Sequence, residues 1–204
     1  TLADKLIHSG DTNTAIRFPA ADTFSVETGG AEALRVDSSQ RLLIGTSTNL
    51  QSQTQKVQIA GTDANSAIVL SRFSANNLAS HLHFQKSRNA TVGGNTVVQY
   101  NDSLGRIDFS GNDGSVNQPA AYIEAFVDWT PGDADMPGRL VFSTTADGAS
   151  TPTARLTIDR AGVVNVPDSG KFTAGASGDL QIWHDGSTAS SIDAKAGDYL
   201  YIYS

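Results

Sequence analysis

The sequence predicts an all-β fold, and three observations carry the prediction. Apolar and polar residues alternate with period two along much of the 204 residues, while helical spacing is almost absent. Charged residues make up 17%, and Ser, Thr, Asn, Gly and Ala are plentiful, a mix suited to short strands and polar turns. Asp-Gly pairs stand at 113–114, 147–148 and 185–186, each soon after an alternating run. Such pairs accept the positive φ angles of tight turns, so they punctuate strands.

Taken in order, residues 2–8 are the one stretch with helical spacing, and it is too short to count. Leu34-Arg35-Val36 and Leu42-Leu43-Ile44 flank the polar Asp37-Ser38-Ser39-Gln40 and read as a hairpin. Ala67-Ile68-Val69-Leu70 reads as a short apolar strand. Leu82-His83-Phe84, Ile107-Asp108-Phe109, Ile123-Glu124-Ala125-Phe126 and Leu140-Val141-Phe142 each alternate around a polar or small residue. Phe109, Phe126 and Phe142 are the expected core of the central strands, each at an inward position. Near the end, Ile182, Trp183, Leu200 and Ile202 crowd into a short apolar piece with Tyr199, Tyr201 and Tyr203.

Two internal echoes organise these strands. Leu34-Arg35-Val36-Asp37 through Ile44 matches Leu156-Thr157-Ile158-Asp159 through Val166, each a strand, an Asp-led turn and a strand. Gly105-Arg106-Ile107-Asp108-Phe109-Ser110 matches Gly138-Arg139-Leu140-Val141-Phe142-Ser143. A shorter echo pairs Gly178-Asp179-Leu180 with Gly197-Asp198-Tyr199. The echoes are too few for a solenoid. Polar stretches at 46–56 and 167–177 read as linkers. The expected layout is therefore an amino-terminal β-hairpin region (1–52), a central β-sandwich (53–167) and a carboxy-terminal β-shaft (168–204). The outer pieces are too small to hold a core alone, which points to further copies of the chain as their support.

Composition narrows the partners. Twenty-one acidic against 14 basic residues give a net charge of -7, which disfavours nucleic acid. No apolar run approaches the roughly 18 residues of a membrane span, so no membrane insertion is expected. The first residues lack the charged-then-apolar pattern of a signal peptide, and none is expected. Without cysteine, neither a disulfide framework nor a thiolate zinc site can form.

Four stretches are similar, in order along the chain, to one class of proteins. They are Asp11-Thr12-Asn13-Thr14-Ala15-Ile16-Arg17-Phe18-Pro19, and Leu34-Arg35-Val36-Asp37-Ser38-Ser39 with Arg41-Leu42-Leu43-Ile44-Gly45-Thr46. The third runs from Met136-Pro137-Gly138-Arg139 to Ala154-Arg155-Leu156, and the fourth is Asp179-Leu180-Gln181-Ile182-Trp183-His184-Asp185-Gly186-Ser187. They resemble tail-fibre-like structural proteins of tailed bacteriophages, of the marine and cyanobacterial phage type. The resemblance implies a homotrimeric, β-rich virion appendage located in the tail fibre. Its partners would be other tail or baseplate proteins and, in attachment, a host surface glycan or protein. Ile182, Trp183, Leu200 and Ile202 are the expected trimer interface. In many such fibres a self-cleaving chaperone follows the third stretch, and its Ser/Lys dyad is not seen here. The chain is expected to be the amino-terminal part of a longer fibre or a relative that trimerises unaided.

Candidate sites are few. His81 and His83 share one face if their segment is a strand, and three copies about an axis would present six imidazoles to a metal. Two solvent-facing histidines opposite a buried Leu82 and Phe84 are the simpler reading, and no metal or cofactor is expected. Asp128, Asp133 and Asp135 offer carboxylates in a turn-rich loop, but without the pattern of a calcium loop. Trp129 is expected to pack under that loop rather than to stack on a sugar. Glu124, Asp128 and Asp133 are the residues a glycosidase pair would draw on. No nucleophile, zincin or phosphate-loop motif is present, so the expectation is no enzyme. A tailspike-like glycan-degrading enzyme and a capsid-decorating fibre are the alternatives.

Overall fold

Strands follow where alternation meets a partner in register, and they account for every regular element of the computed structural model. It describes residues 4–50, 54–62 and 66–194. Among these, all named elements are strands, as the sequence predicts. Contacts divide the chain into two units, Thr1–Leu82 and His83–Ser204.

The first unit holds β1 (Lys5–His8), β2 (Asp11–Arg17), β3 (Phe24–Thr28), β4 (Ala31–Val36), β5 (Leu42–Ile44) and β6 (Val57–Ile59). They form one six-stranded sheet in chain order, antiparallel except for the parallel pair β5–β6. The parallel return of β6 carries this sheet past residue 52, where the sequence suggested a boundary. The helical spacing of residues 2–8 yields to β1, because Leu6 pairs with Ile16 across the ladder and tertiary pairing outweighs a weak propensity.

The second unit holds two sheets. β7 (Ser103–Asn112), β8 (Asn117–Val127), β9 (Gly138–Thr144), β10 (Thr153–Ile158) and β11 (Val164–Asn165) form an up-and-down antiparallel meander. β12 (Lys171–Ala174), β13 (Leu180–His184) and β14 (Ser190–Ala194) form a three-stranded antiparallel sheet. The expected sandwich is not what the central residues make. They supply one sheet, and residues 66–100 contribute no named strand to stack upon it. Ala67-Ile68-Val69-Leu70 and Leu82-His83-Phe84 alternate like strands but have no ladder, since pattern alone cannot supply a hydrogen-bonding neighbour.

Both long echoes are structural. The Asp37 turn joins β4 to β5, and the Asp159 turn joins β10 to β11 with the same hydrogen bonds. Asp37 Oδ1 accepts from the backbone N–H of Ser39 and Arg41, and Asp159 Oδ1 from those of Ala161 and Val163. The backbone bond from Asp37 N–H to Arg41 is likewise repeated from Asp159 to Val163. The second echo supplies β7 and β9, the two neighbours of β8. The third echo's second copy lies outside the described residues. All three Asp-Gly pairs sit in loops with their glycines at positive φ.

Candidate functional site

Each sheet has one face closed by its own charged or polar side chains and one face left open and apolar. In the first sheet, Leu6, Ile16, Val26, Leu34, Ile44 and Ile59 stand in register across all six strands. Phe24, Val36, Leu42 and Val57 form a second row beside them on the same face. Leu6 at the sheet edge is 46% exposed, and Ile16, Phe24, Val36 and Val57 are exposed too. On the other face Glu27 binds Lys5 at 3.0 Å and Arg17 at 2.8 Å, and Arg35 pairs with Glu32. The stems of these long side chains cover their own sheet, and burial follows them. Leu43 on that face is 0% exposed, with Ser25 and Ala15 also buried.

The five-stranded sheet repeats the arrangement. Ile107, Ile123, Phe142 and Leu156 are in register on one face, with Phe109 beside them, and Ile107 and Phe109 are exposed. The opposite face carries Arg106 over the Tyr122 ring at 5.2 Å and Arg139 over Phe126 at 4.7 Å. Beneath them Glu124, Val141 and Ser143 are buried. Phe126 therefore lies on the opposite face from Phe109 and Phe142, and Phe109 is half-exposed; the three do not form the single core expected of them.

In the three-stranded sheet Phe172, Ile182 and Ile192 are directly opposite one another and all exposed. Trp183 belongs to the other face. Its indole N–H donates to Asp193 Oδ2 at 2.5 Å, and the Lys171 ammonium lies 4.7 Å from its ring centre. Of the four residues expected at a trimer interface, Ile182 is on the open row and Trp183 faces away from it. Leu200 and Ile202 lie outside the described residues.

The loop after β8 concentrates charge. Asp128 is 8% exposed, its Oδ2 accepts from the backbone N–H of Arg160 at 3.0 Å, and its Oδ1 accepts from Arg139 Nη1 at 3.1 Å. The Arg160 N–H, and after it the Arg139 guanidinium, hold the Asp128 carboxyl below the usual carboxylate range against the opposing effect of burial. A glycosidase acid needs its pKa raised, and two guanidinium groups beside Asp128 repel a calcium ion. Asp128 is thus set up as a strut. Trp129 does not pack beneath the loop as expected. It is 59% exposed, with the Arg160 guanidinium 4.7 Å from its ring and Tyr100 edge-on at 6.5 Å. His81 and His83 are exposed in a segment without a ladder, so alternation there fixes no shared face. Among the described residues, no three His, Asp or Glu side chains cluster as metal ligands.

The open rows were missed from sequence as continuous features. Their signal was the alternation inside each strand, but register between strands set them in line.

No family model matches the chain, and no curated protein sequence matches it. Solved structures do. The carboxy-terminal domain of the bacteriophage T5 L-shaped tail fibre shares this fold. It aligns with a TM-score of 0.59 at 13% identity over 98% of this chain and 87% of that one. The same domain solved with its intramolecular chaperone domain aligns with a TM-score of 0.60 at 14% identity, over 100% of this chain and 63% of that one. The likeness lends no support to a marine or cyanobacterial phage type.

Proposed function

We propose that this chain is a non-enzymatic structural part of a bacteriophage tail fibre, and that it works as a homotrimer. The observation that carries the reading is the open apolar face on each of three successive sheets. Three copies that turn these faces toward one another remove them from water, and apolar burial at about 25 cal/mol per Å² favours the assembly. The charged faces then form the outer surface, which suits a net charge of -7. Likeness of fold to the T5 fibre domain supports the tail fibre as the setting; three as the number of copies follows from the sequence resemblance to tail-fibre proteins. In that setting the chain sits in the virion tail, joined to other tail or baseplate proteins. It helps to present the particle to a host surface glycan or protein, where linked weak contacts add by avidity. Residues 168–204 act in this scheme as the shaft segment that holds the copies together.

Light scattering of the purified full chain tests the reading. The expected mass is three times 21.4 kDa. A stable monomer at micromolar concentration overturns it.

A further inference from the structure

Residues 66–86 have the apolar content of strands and none of their partners. Among the described residues, no backbone–backbone hydrogen bond joins any residue of this segment to another. Side chains shape it instead. Ser80 Oγ donates to the Leu70 carbonyl at 2.8 Å, and Asn76 Oδ1 accepts from the Leu78 N–H at 3.1 Å. The segment therefore doubles back near Ser74 to Asn77 like a hairpin without rungs. Ile68 and Val69 are neighbours and both exposed, so both faces of that limb lack cover, and Phe73 at the turn is 97% exposed. Solvated peptide groups cost little, but this much apolar surface in water does.

The surface able to receive it belongs to the same kind of chain. β7 is the end strand of its sheet, with β8 on one side and no strand on the other among the described residues. Its free edge is a row of unpaired N–H and C=O groups, and Ile107 and Phe109 are exposed beside it. The segment is also tethered there. Phe84, near its carboxy-terminal end, lies against Gly105 of β7 in the same chain, where a β-carbon would come 2.7 Å from the Phe84 Cγ. Charge agrees, since residues 66–86 include Arg72 and Lys86 but no acidic residue, in a chain of net charge -7.

We infer that residues 66–84 are an exchanged arm, which in the assembled protein adds as strand to the β7 edge of a neighbouring copy. This rests on the self-association proposed above and says which backbone carries it. Passing each arm to the next copy is a head-to-tail contact that closes on itself in a ring. Backbone pairing supplies the affinity, and the alternating apolar side chains fix the register.

Hydrogen exchange read by mass spectrometry on the full chain, after light scattering on the same sample, tests the arm. In an oligomer, amides of residues 66–84 and of β7 should exchange at least about 100-fold more slowly than in an unstructured peptide. An oligomer whose 66–84 amides exchange at peptide rates overturns the arm and leaves self-association standing. A monomer overturns both. Protection of the segment in a monomer would show that its partner lies within the chain, and that result also overturns the exchange.

Discussion

Gln40 and Gly162 hold the same place in two turns 122 residues apart, at φ angles of 61° and 79°. Each donates its backbone N–H to the carbonyl of the aspartate that opens its turn, Asp37 at 2.8 Å and Asp159 at 2.9 Å. The left-handed conformation costs an L-residue with a β-carbon roughly 1–2 kcal/mol, and glycine nothing. Gly162→Gln should therefore lower stability by about 1 kcal/mol. Gln40→Gly should leave stability unchanged or raise it. Denaturant melts at fixed protein concentration measure both, and a silent Gly162→Gln would show the two turns to be unlike.

Asp128 ties the end of β8 to Arg139 on β9 and to Arg160 beyond β10. Asp128→Ala removes both charge-assisted bonds and leaves the Arg160 N–H without its acceptor, at a cost of about 1.5–3 kcal/mol. It also loosens Arg160 over Trp129, leaving it only the bond from Nη1 to the residue-128 carbonyl, so tryptophan emission should shift with the melting curve. A variant with unaltered melting and emission would mean that the strut bears nothing.

Acid should act through a small set of turn carboxylates. The Arg88 guanidinium, then the Gln99 N–H, hold Asp102 below its ordinary range, and the Val116 and Ser115 N–H groups do the same for Asp113. N–H groups of Ser187 and Ala189 bring Asp185 down to about 2. A carboxyl whose folded pKa is depressed stabilises the fold above its unfolded pKa of about 3.9, and that contribution is lost as pH falls toward the folded value. Melting temperature should hold steady, as far as these groups go, from pH 7 to about 5 and fall between about pH 4 and 2. Asp185→Asn should make the fall shallower. A loss of equal steepness in that variant would remove Asp185 from the set.

Ile16 and Ile182 offer a test of the open rows. Each is exposed in the single chain, so in a monomer an aspartate there would be tolerated. If copies cover these faces, Ile16→Asp and Ile182→Asp each forfeit about 1.5–3 kcal/mol of burial per copy. The scattering mass should then drop at concentrations where the parent stays assembled. Asn13→Asp, at an exposed site of β2 on the face that Ala15 and Arg17 share, serves as the control and should change neither mass nor melting. Equal behaviour of all three variants would count against the covered faces.

Much of the fold could be read before any coordinates. Alternation located β4, β5, β7, β8 and β9, the echo added β10 and β11, and Asp-Gly located turns, because these signals are local and each residue carries its own part. The matched Asp37 and Asp159 turns were visible as an echo, since the aspartate makes the turn's hydrogen bonds itself. Register was not legible, and with it went the faces. Phe126 alternates as well as Phe142, yet the pairing with Arg139 sets it on the charged side. Trp129 looked like a packing residue, but Asp128 beside it takes the buried position and Arg160 takes its ring. Ala67 to Leu70 were legible as a strand in everything except the neighbour that a ladder requires.

The inverted faces also change what divergence would look like. In an ordinary domain, drift gathers at exposed positions and the core is held fixed. If copies cover the rows as proposed, Leu6, Ile16 and Val57 are exposed positions that a lineage would be bound to keep apolar, while Lys5, Arg17 and Glu27 need only remain long and oppositely charged. Descendants would rewrite the charged side freely and keep the rows, so sequence identity would decay far sooner than the sheets.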